Sequence, residues 1–224
     1  SLYQAIENGI LSPYEYHPIP VLLTNAESEE YHRLTESIGK SIASSGSKNT
    51  DQNEQLQSLL MRRARLVGTA SNKLTELKKL ISTNEVPKHS LFYCSDGRVS
   101  DEETHGPSDE TAEEREVKQR IAVAKILRSK GITASAFTAN ETRSQRTTIL
   151  ENFKQGEVNS LVAIKCLDEG IDIPACTTAY LLASSRNPRQ FIQRRGRILR
   201  RAEGKEKAII YDFVAVLPPA EIGN

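Results

Sequence analysis

The sequence predicts an α/β protein, a parallel sheet flanked by helices, with a helical extension at its N-terminal side. Three observations lead there. After Pro87, short apolar runs of strand length alternate with helical stretches, the pattern that builds a parallel sheet with helices on both faces. Before Pro87 the apolar residues recur mainly at three-and-four spacing, which is helical. With 224 residues, 38% of them hydrophobic, the chain can bury one substantial core.

Residues 1–25 read as an irregular entry, because Gly9, Pro13, Pro18 and Pro20 interrupt any helix, and residues 21–23 suit a short strand. Thr24 or Asn25 can cap a helix over about 26–44. A polar turn over 44–50 leads to a second helical stretch over about 51–83, with Leu56, Leu59, Leu60, Leu66, Val67, Leu74, Leu77, Leu80 and Ile81 as its stripe and Gly68 as a possible bend. Its bases, Arg62, Arg63, Arg65, Lys73, Lys78 and Lys79, are read first as a solvated face opposite the leucines. A nucleic-acid track is the alternative.

Strands are then expected over 90–94, 132–137, 160–164, 178–183 and 207–213. Helices are expected over 110–130, with Val117, Ile121, Ala124, Ile126 and Leu127 inward, over 141–154 and over 188–199. The expected division is 1–86 as connector and helical extension, 87–217 as the α/β domain and 218–224 as a tail. In open parallel sheets the functional residues collect beyond the carboxyl ends of the strands.

The net charge of +1 conceals its distribution. Eight acids lie between Asp101 and Glu116, whereas nine bases lie between Arg186 and Lys207, a patch fit to meet phosphate. Cys94, Cys166 and Cys176 are odd in number and far apart, which suits small buried residues of a reducing, intracellular compartment. The four histidines show no ligand spacing, so no metal site is expected. No apolar run of membrane-spanning length occurs. The first residues lack a basic and apolar leader, and there is no initiator Met, as in a piece of a longer chain.

Two segments carry the chemistry. Leu167-Asp-Glu-Gly-Ile-Asp-Ile-Pro174 offers a glycine, which lets backbone approach a ligand, beside carboxylates that can accept hydrogen bonds from a ribose. Gln193-Arg-Arg-Gly-Arg-Ile-Leu-Arg200 places Arg197 and Arg200 three apart, so on a helix two guanidinium forks share one face and can hold phosphoryl oxygens. Taken singly, the first could be an ordinary strand-to-loop turn and the second a solvated basic face.

Together these segments resemble motifs V and VI of the superfamily 2 helicases and translocases, whose second RecA-like domain carries them. Phe137-Thr-Ala-Asn-Glu-Thr-Arg-Ser-Gln-Arg146 is similar to the family's strand–turn–helix before motif V, and Ser90-Leu-Phe-Tyr-Cys-Ser-Asp-Gly97 stands in the place of motif IV. The resemblance spans about residues 63–216. It implies a RecA-like fold, with Arg197 and Arg200 as arginine fingers on ATP. It further implies that Gly170, Asp172, Gln193 and Arg194 lie at the nucleotide, and that Ser95, Gly97, Thr138 and Lys165 lie along the nucleic acid. Arg143 in place of a glutamine, and Gln193 in place of the usual histidine, depart from the DEAD-box pattern. They point to the DExH-type DNA helicases and translocases, including DNA-repair and restriction-associated members. DNA is the implied partner, with RNA not distinguished, and the other partner is an N-terminal RecA-like ATPase domain of the same polypeptide.

The sequence contains no G-x-x-x-x-G-K-[ST] and no Asp-Glu pair placed after an apolar strand to hold Mg²⁺. ATP and Mg²⁺ are therefore expected only together with the N-terminal domain, and this chain by itself is expected to hydrolyse ATP negligibly. A non-catalytic module that docks nucleic acid or an acidic partner through the basic patch is the rival reading.

Overall fold

A computed structural model describes residues 2–44, 50–94, 112–138, 140–164, 173–183 and 188–219. Its elements are α1 (Leu2–Glu7), β1 (Tyr14–Leu22), α2 (Asn25–Ser44), α3 (Thr50–Gly68), α4 (Asn72–Thr83), β2 (Ser90–Tyr93), α5 (Ala112–Ser129), β3 (Ala134–Phe137), α6 (Arg143–Gln155), β4 (Ser160–Ala163), β5 (Thr178–Leu181), α7 (Pro188–Ile198) and β6 (Ala208–Val216). The six strands form one sheet in the order β1-β6-β5-β2-β4-β3, and every pairing is parallel.

Short apolar strands read from sequence occupy the middle of this sheet because both faces are covered. Leu91, Tyr93, Leu161, Ala163, Ala179, Leu181 and Ile210 face one core, shared with Phe153 of α6 and Ile198 of α7. Phe92, Val162, Tyr180 and Phe213 face the other, against Leu77 and Ile81 of α4 and Val123 and Leu127 of α5. On that second face an aromatic row crosses four strands in register. Phe92 stacks on Tyr180 at 4.4 Å between ring centroids, Tyr180 on Tyr211 at 5.2 Å, and Tyr211 on His17 at 5.1 Å. Such cross-strand pairs hold register, since a slip of one residue would turn each ring to the opposite face.

The entry over residues 1–25 is not irregular. It holds α1 and the nine-residue β1, which pairs with β6 along its whole length. The sheet therefore draws on the region expected to be connector and helices, where the short strand expected over 21–23 is the end of a longer one. Pro18 and Pro20 do not prevent this. Pro13 accepts the Ala208 N–H and Leu23 donates to Val216, so the odd-numbered residues of β1 face β6. The two prolines, even-numbered, turn their missing N–H to the outer edge, where no partner is needed.

Helix starts follow their local chemistry. Thr24 and Glu27 form a reciprocal capping pair ahead of α2, and Thr142 and Gln145 form a full capping box at α6, which ends on Gly156 in the left-handed region. The long stretch expected over 51–83 is two helices, broken at 69–71. In α5, Ile126 and Leu127 are buried as expected, but Ile121 is 42% exposed and Gln119 and Val123 turn inward instead.

The bases of α3 and α4 have local duties. Arg62 pairs with Glu30 of α2, Arg63 donates to Thr35 and lies over the Tyr31 ring, and Lys79 pairs with Glu76. Lys73 is fully buried and donates to the Leu182 carbonyl at 2.5 Å. Burial pushes its pKa down to about 8, against the opposing pull of Asp212 and Glu27.

Candidate nucleotide and nucleic-acid site

Four strands end on one row: Phe137, Ala163, Tyr93 and Leu181 are neighbours across β3, β4, β2 and β5, and Asp212 of β6 continues the row. Each segment that carries a predicted site residue leaves the sheet from this row. Thr138 follows β3, Ser95 and Gly97 follow β2, Lys165, Gly170 and Asp172 follow β4, and the chain beyond β5 leads to α7. Of these, Ser95, Gly97, Lys165, Gly170 and Asp172 lie outside the described residues.

Helix α7 carries the arginine cluster, and two of its arginines turn inward. Arg194 lies over the Tyr93 ring, 4.9 Å from its centroid, and donates from Nη1 to the Ala183 carbonyl at 3.3 Å. The resemblance groups Arg194 with the nucleotide ligands. In the structure it is 7% exposed and helps seat the helix on the sheet. A guanidinium is weakly hydrated and planar, so it stacks on a buried ring at less cost than an ammonium would.

Arg195 is buried beside Asp212, with Nη2 3.8 Å from Oδ2, and lies 4.0 Å from the Tyr16 ring centroid. The Tyr16 hydroxyl donates to the same Asp212 oxygen at 2.9 Å. Burial first, and then the Asp212 charge, raise the Tyr16 hydroxyl pKa. This fixes α7 to β6 and β1 through a desolvated ion pair whose oxygen has a second donor, the arrangement that makes a buried pair tolerable.

Arg197 is half-buried and Gln193 and Arg200 are exposed. The structure corrects the expectation that Arg197 and Arg200 share one helical face: α7 ends at Ile198, and Arg200 lies beyond it in an antiparallel bridge with Leu11. Ser12 donates to the Leu199 carbonyl at 2.7 Å, so the segment before β1 holds the end of α7. Thr138, just past the end of β3, sits in a tight turn. Its N–H and hydroxyl both donate to Glu141, and Asn140 donates to its oxygen.

Sequence reasoning passed over Tyr16 and Asp212, and it read Lys73 only as one base of a helix face and Lys205 only as part of the basic patch. The visible signal for Asp212 was a lone acid inside the apolar run of β6. Nothing comparable marked Tyr16, because its strand was read as a broken entry.

Comparison with known proteins agrees with this architecture. Residues 107–202 match the helicase conserved C-terminal domain. Over 217 residues the chain is 28% identical to DNA 3'-5' translocase XPB2 of Sulfurisphaera tokodaii, covering 91% of this chain and 44% of that protein. A putative helicase 22 of a Sulfolobus islandicus filamentous virus is 32% identical over 100 residues, covering 43% of this chain and 18% of that protein. The chain thus spans less than half the length of these relatives. Among solved structures, the Sulfolobus solfataricus SWI2/SNF2 ATPase core in complex with dsDNA aligns with a TM-score of 0.61 at 14% identity, over 91% of this chain and 41% of that one. The isolated C-terminal domain of a S. solfataricus SWI2/SNF2 ATPase aligns at 0.58 and 12% identity, over 91% and 80%. At that identity the likeness concerns the fold, which is RecA-like. The all-parallel sheet and the match over residues 107–202 agree: the fold is RecA-like, and that stretch of the chain is similar to the helicase conserved C-terminal domain.

Proposed function

We propose that this chain is the second half of an ATP-dependent DNA helicase or translocase of the DExH type, completing an ATP site whose other half lies on an N-terminal RecA-like domain of the same polypeptide. The observation that carries the proposal is the division of roles on α7. Arg194 and Arg195 are held against the sheet, while Arg197 is half-buried on the same helix and Arg200 is exposed just beyond its end.

Guanidinium forks suit the oxygens of a transferring phosphoryl group, and a rigidly seated helix lets them meet its developing charge without first reorganising. Arg197 and Arg200 would act as arginine fingers toward the γ-phosphate. Gly170 and Asp172 would approach the sugar side, and Gln193 would lie beside them. ATP with Mg²⁺ supplies the phosphoryl chemistry when bound by the N-terminal domain. This chain's residues then stabilise charge and couple closure of the two domains to the nucleic acid. Ser95, Gly97 and Lys165, beyond the strand ends, would follow the phosphate backbone. Binding there is expected to be salt-dependent and largely blind to sequence.

The test is nucleic-acid-stimulated ATP hydrolysis, measured on this chain alone and on the polypeptide bearing both RecA-like domains, each with and without Arg197→Ala. Turnover only in the two-domain form, abolished by the substitution, supports the proposal. Robust hydrolysis by this chain alone overturns it. Salt-sensitive DNA binding without hydrolysis in either form would favour a docking module.

A further inference from the structure

Lys205 lies outside both motifs, yet its ammonium gathers the main chain of both. Nζ donates to the Ile198 carbonyl at 2.5 Å, to the Arg200 carbonyl at 3.1 Å and to the Pro174 carbonyl at 3.2 Å. Ile198 is the last residue of α7, and Arg200 is the expected finger just beyond it. Pro174 comes two residues after Asp172. An ammonium has three donors and no acceptor, so three converging carbonyls match its valence. The final carbonyls of a helix lack intrahelical partners and carry the negative end of its dipole, which favours a cation there.

The turn that delivers this lysine is specific. Lys205 N–H donates to the Ala202 carbonyl at 3.1 Å, and Gly204 between them has a φ of 75°, a conformation open to glycine at little cost. The chain thereby folds back beneath the end of α7 before entering β6.

We propose that Lys205 is a positioning residue for ATP hydrolysis: by tying Pro174 to Ile198 and Arg200, it holds the segment that follows Gly170 and Asp172 in register with the arginine that completes the phosphate site. The proposal rests on the reading of Arg200 as an arginine finger. A displacement of about 1 Å at such a group can cost on the order of 10²-fold in rate. A side chain that never touches ATP can therefore control turnover strongly.

The experiment uses the polypeptide with both RecA-like domains and double-stranded DNA as the activator. Lys205→Met keeps the stem and removes the three donors. The expected result is a fall in kcat of roughly 10- to 100-fold, with the KM for ATP and the Kd for DNA unchanged. Lys205→Met combined with Arg200→Ala should be no slower than Arg200→Ala alone, because the lysine acts through that arginine. A merely structural role would instead raise KM, or add its loss to that of Arg200→Ala, and either result overturns the proposal.

Should Lys205→Met fail to fold, Gly204→Ala decides. A Cβ there meets no atom within 4 Å, so the substitution strains the turn alone, and the same selective fall in kcat is expected. Normal kcat in the folded variants, with Arg200→Ala inactive, overturns the role of Lys205 only. Full activity in Arg200→Ala overturns the arginine-finger reading on which it rests.

Discussion

Helix α3 carries Arg62-Arg-Ala-Arg65 and helix α7 carries Arg194-Arg-Gly-Arg197, nearly the same four residues in two environments. On α3 the first two arginines reach across to α2, one pairing with Glu30 and the other donating to Thr35 over the Tyr31 ring, all at the surface. On α7 the first two turn into the domain, onto Tyr93 and onto the Asp212–Tyr16 pair. The α3 arginines join two helices where water already solvates them. The α7 arginines are desolvated, so each needs a placed partner, and those partners fix the helix rigidly on the sheet. The number of bases on a helix therefore says little about its role. The position of their partners decides whether the helix is a strut or a mount for reactive groups.

Substitutions can break this comparison. The largest expected effect is on turnover. In the two-domain protein, Arg197→Ala should lower DNA-stimulated kcat by roughly 10³-fold or more, while Arg65→Ala, third in the matching α3 pattern, should leave it unchanged. Steady-state ATPase assays check both, and equal losses would mean that the two helices are not functionally distinct.

Stability comes next. Asp212→Ala removes the carboxylate facing Arg195 and Tyr16 and should destabilise this chain by about 3–5 kcal/mol in urea unfolding. Glu30→Ala, which removes the partner of Arg62 and Arg33 on the exposed hairpin, should cost no more than about 1 kcal/mol. Similar costs for the two would contradict the contrast in solvation.

Lys73 sharpens the same point with pH. Its pKa falls from 10.5 to about 8 on folding, so between those values the unfolded chain binds more protons than the native one, and stability rises with pH across that window. The rise attributable to Lys73 is about 3 kcal/mol. Buried thiols work in the opposite sense, since the pKa values of Cys94 and Cys176 are pushed up to about 12. The measurement is accordingly a difference between parent and Lys73→Met. Unfolding free energies measured from pH 7 to 10 should diverge with the parent gaining, and parallel curves would refute the assignment.

The smallest effect belongs to Lys207 and Glu15, an ion pair whose side chains are about half exposed. Lys207→Ala should leave the urea midpoint unchanged.

The sequence by itself determined what depends on near neighbours. Alternation of strand and helix set the class of fold, the Thr142–Gln145 and Thr24–Glu27 spacings set two helix starts, and apolar runs set the inner strands. Motif spacing was enough to locate the arginine cluster and the resemblance to helicase C-terminal domains that the match over residues 107–202 also finds. Tertiary structure alone decided the rest, because those outcomes depend on residues far apart in the chain. Pro18 and Pro20 read as strand breakers until β1 pairs at the edge with β6, leaving their missing N–H groups where nothing is needed. Nothing near Arg194 in the chain shows that Tyr93, about a hundred residues earlier, lies beneath its guanidinium. Asp212 gains its meaning only because a strand from the start of the chain brings Tyr16 beside it and α7 brings Arg195 above it. A side chain's type limits what it can do. Which partner desolvates it, and so which of those things it does, is settled by contacts that local sequence does not encode.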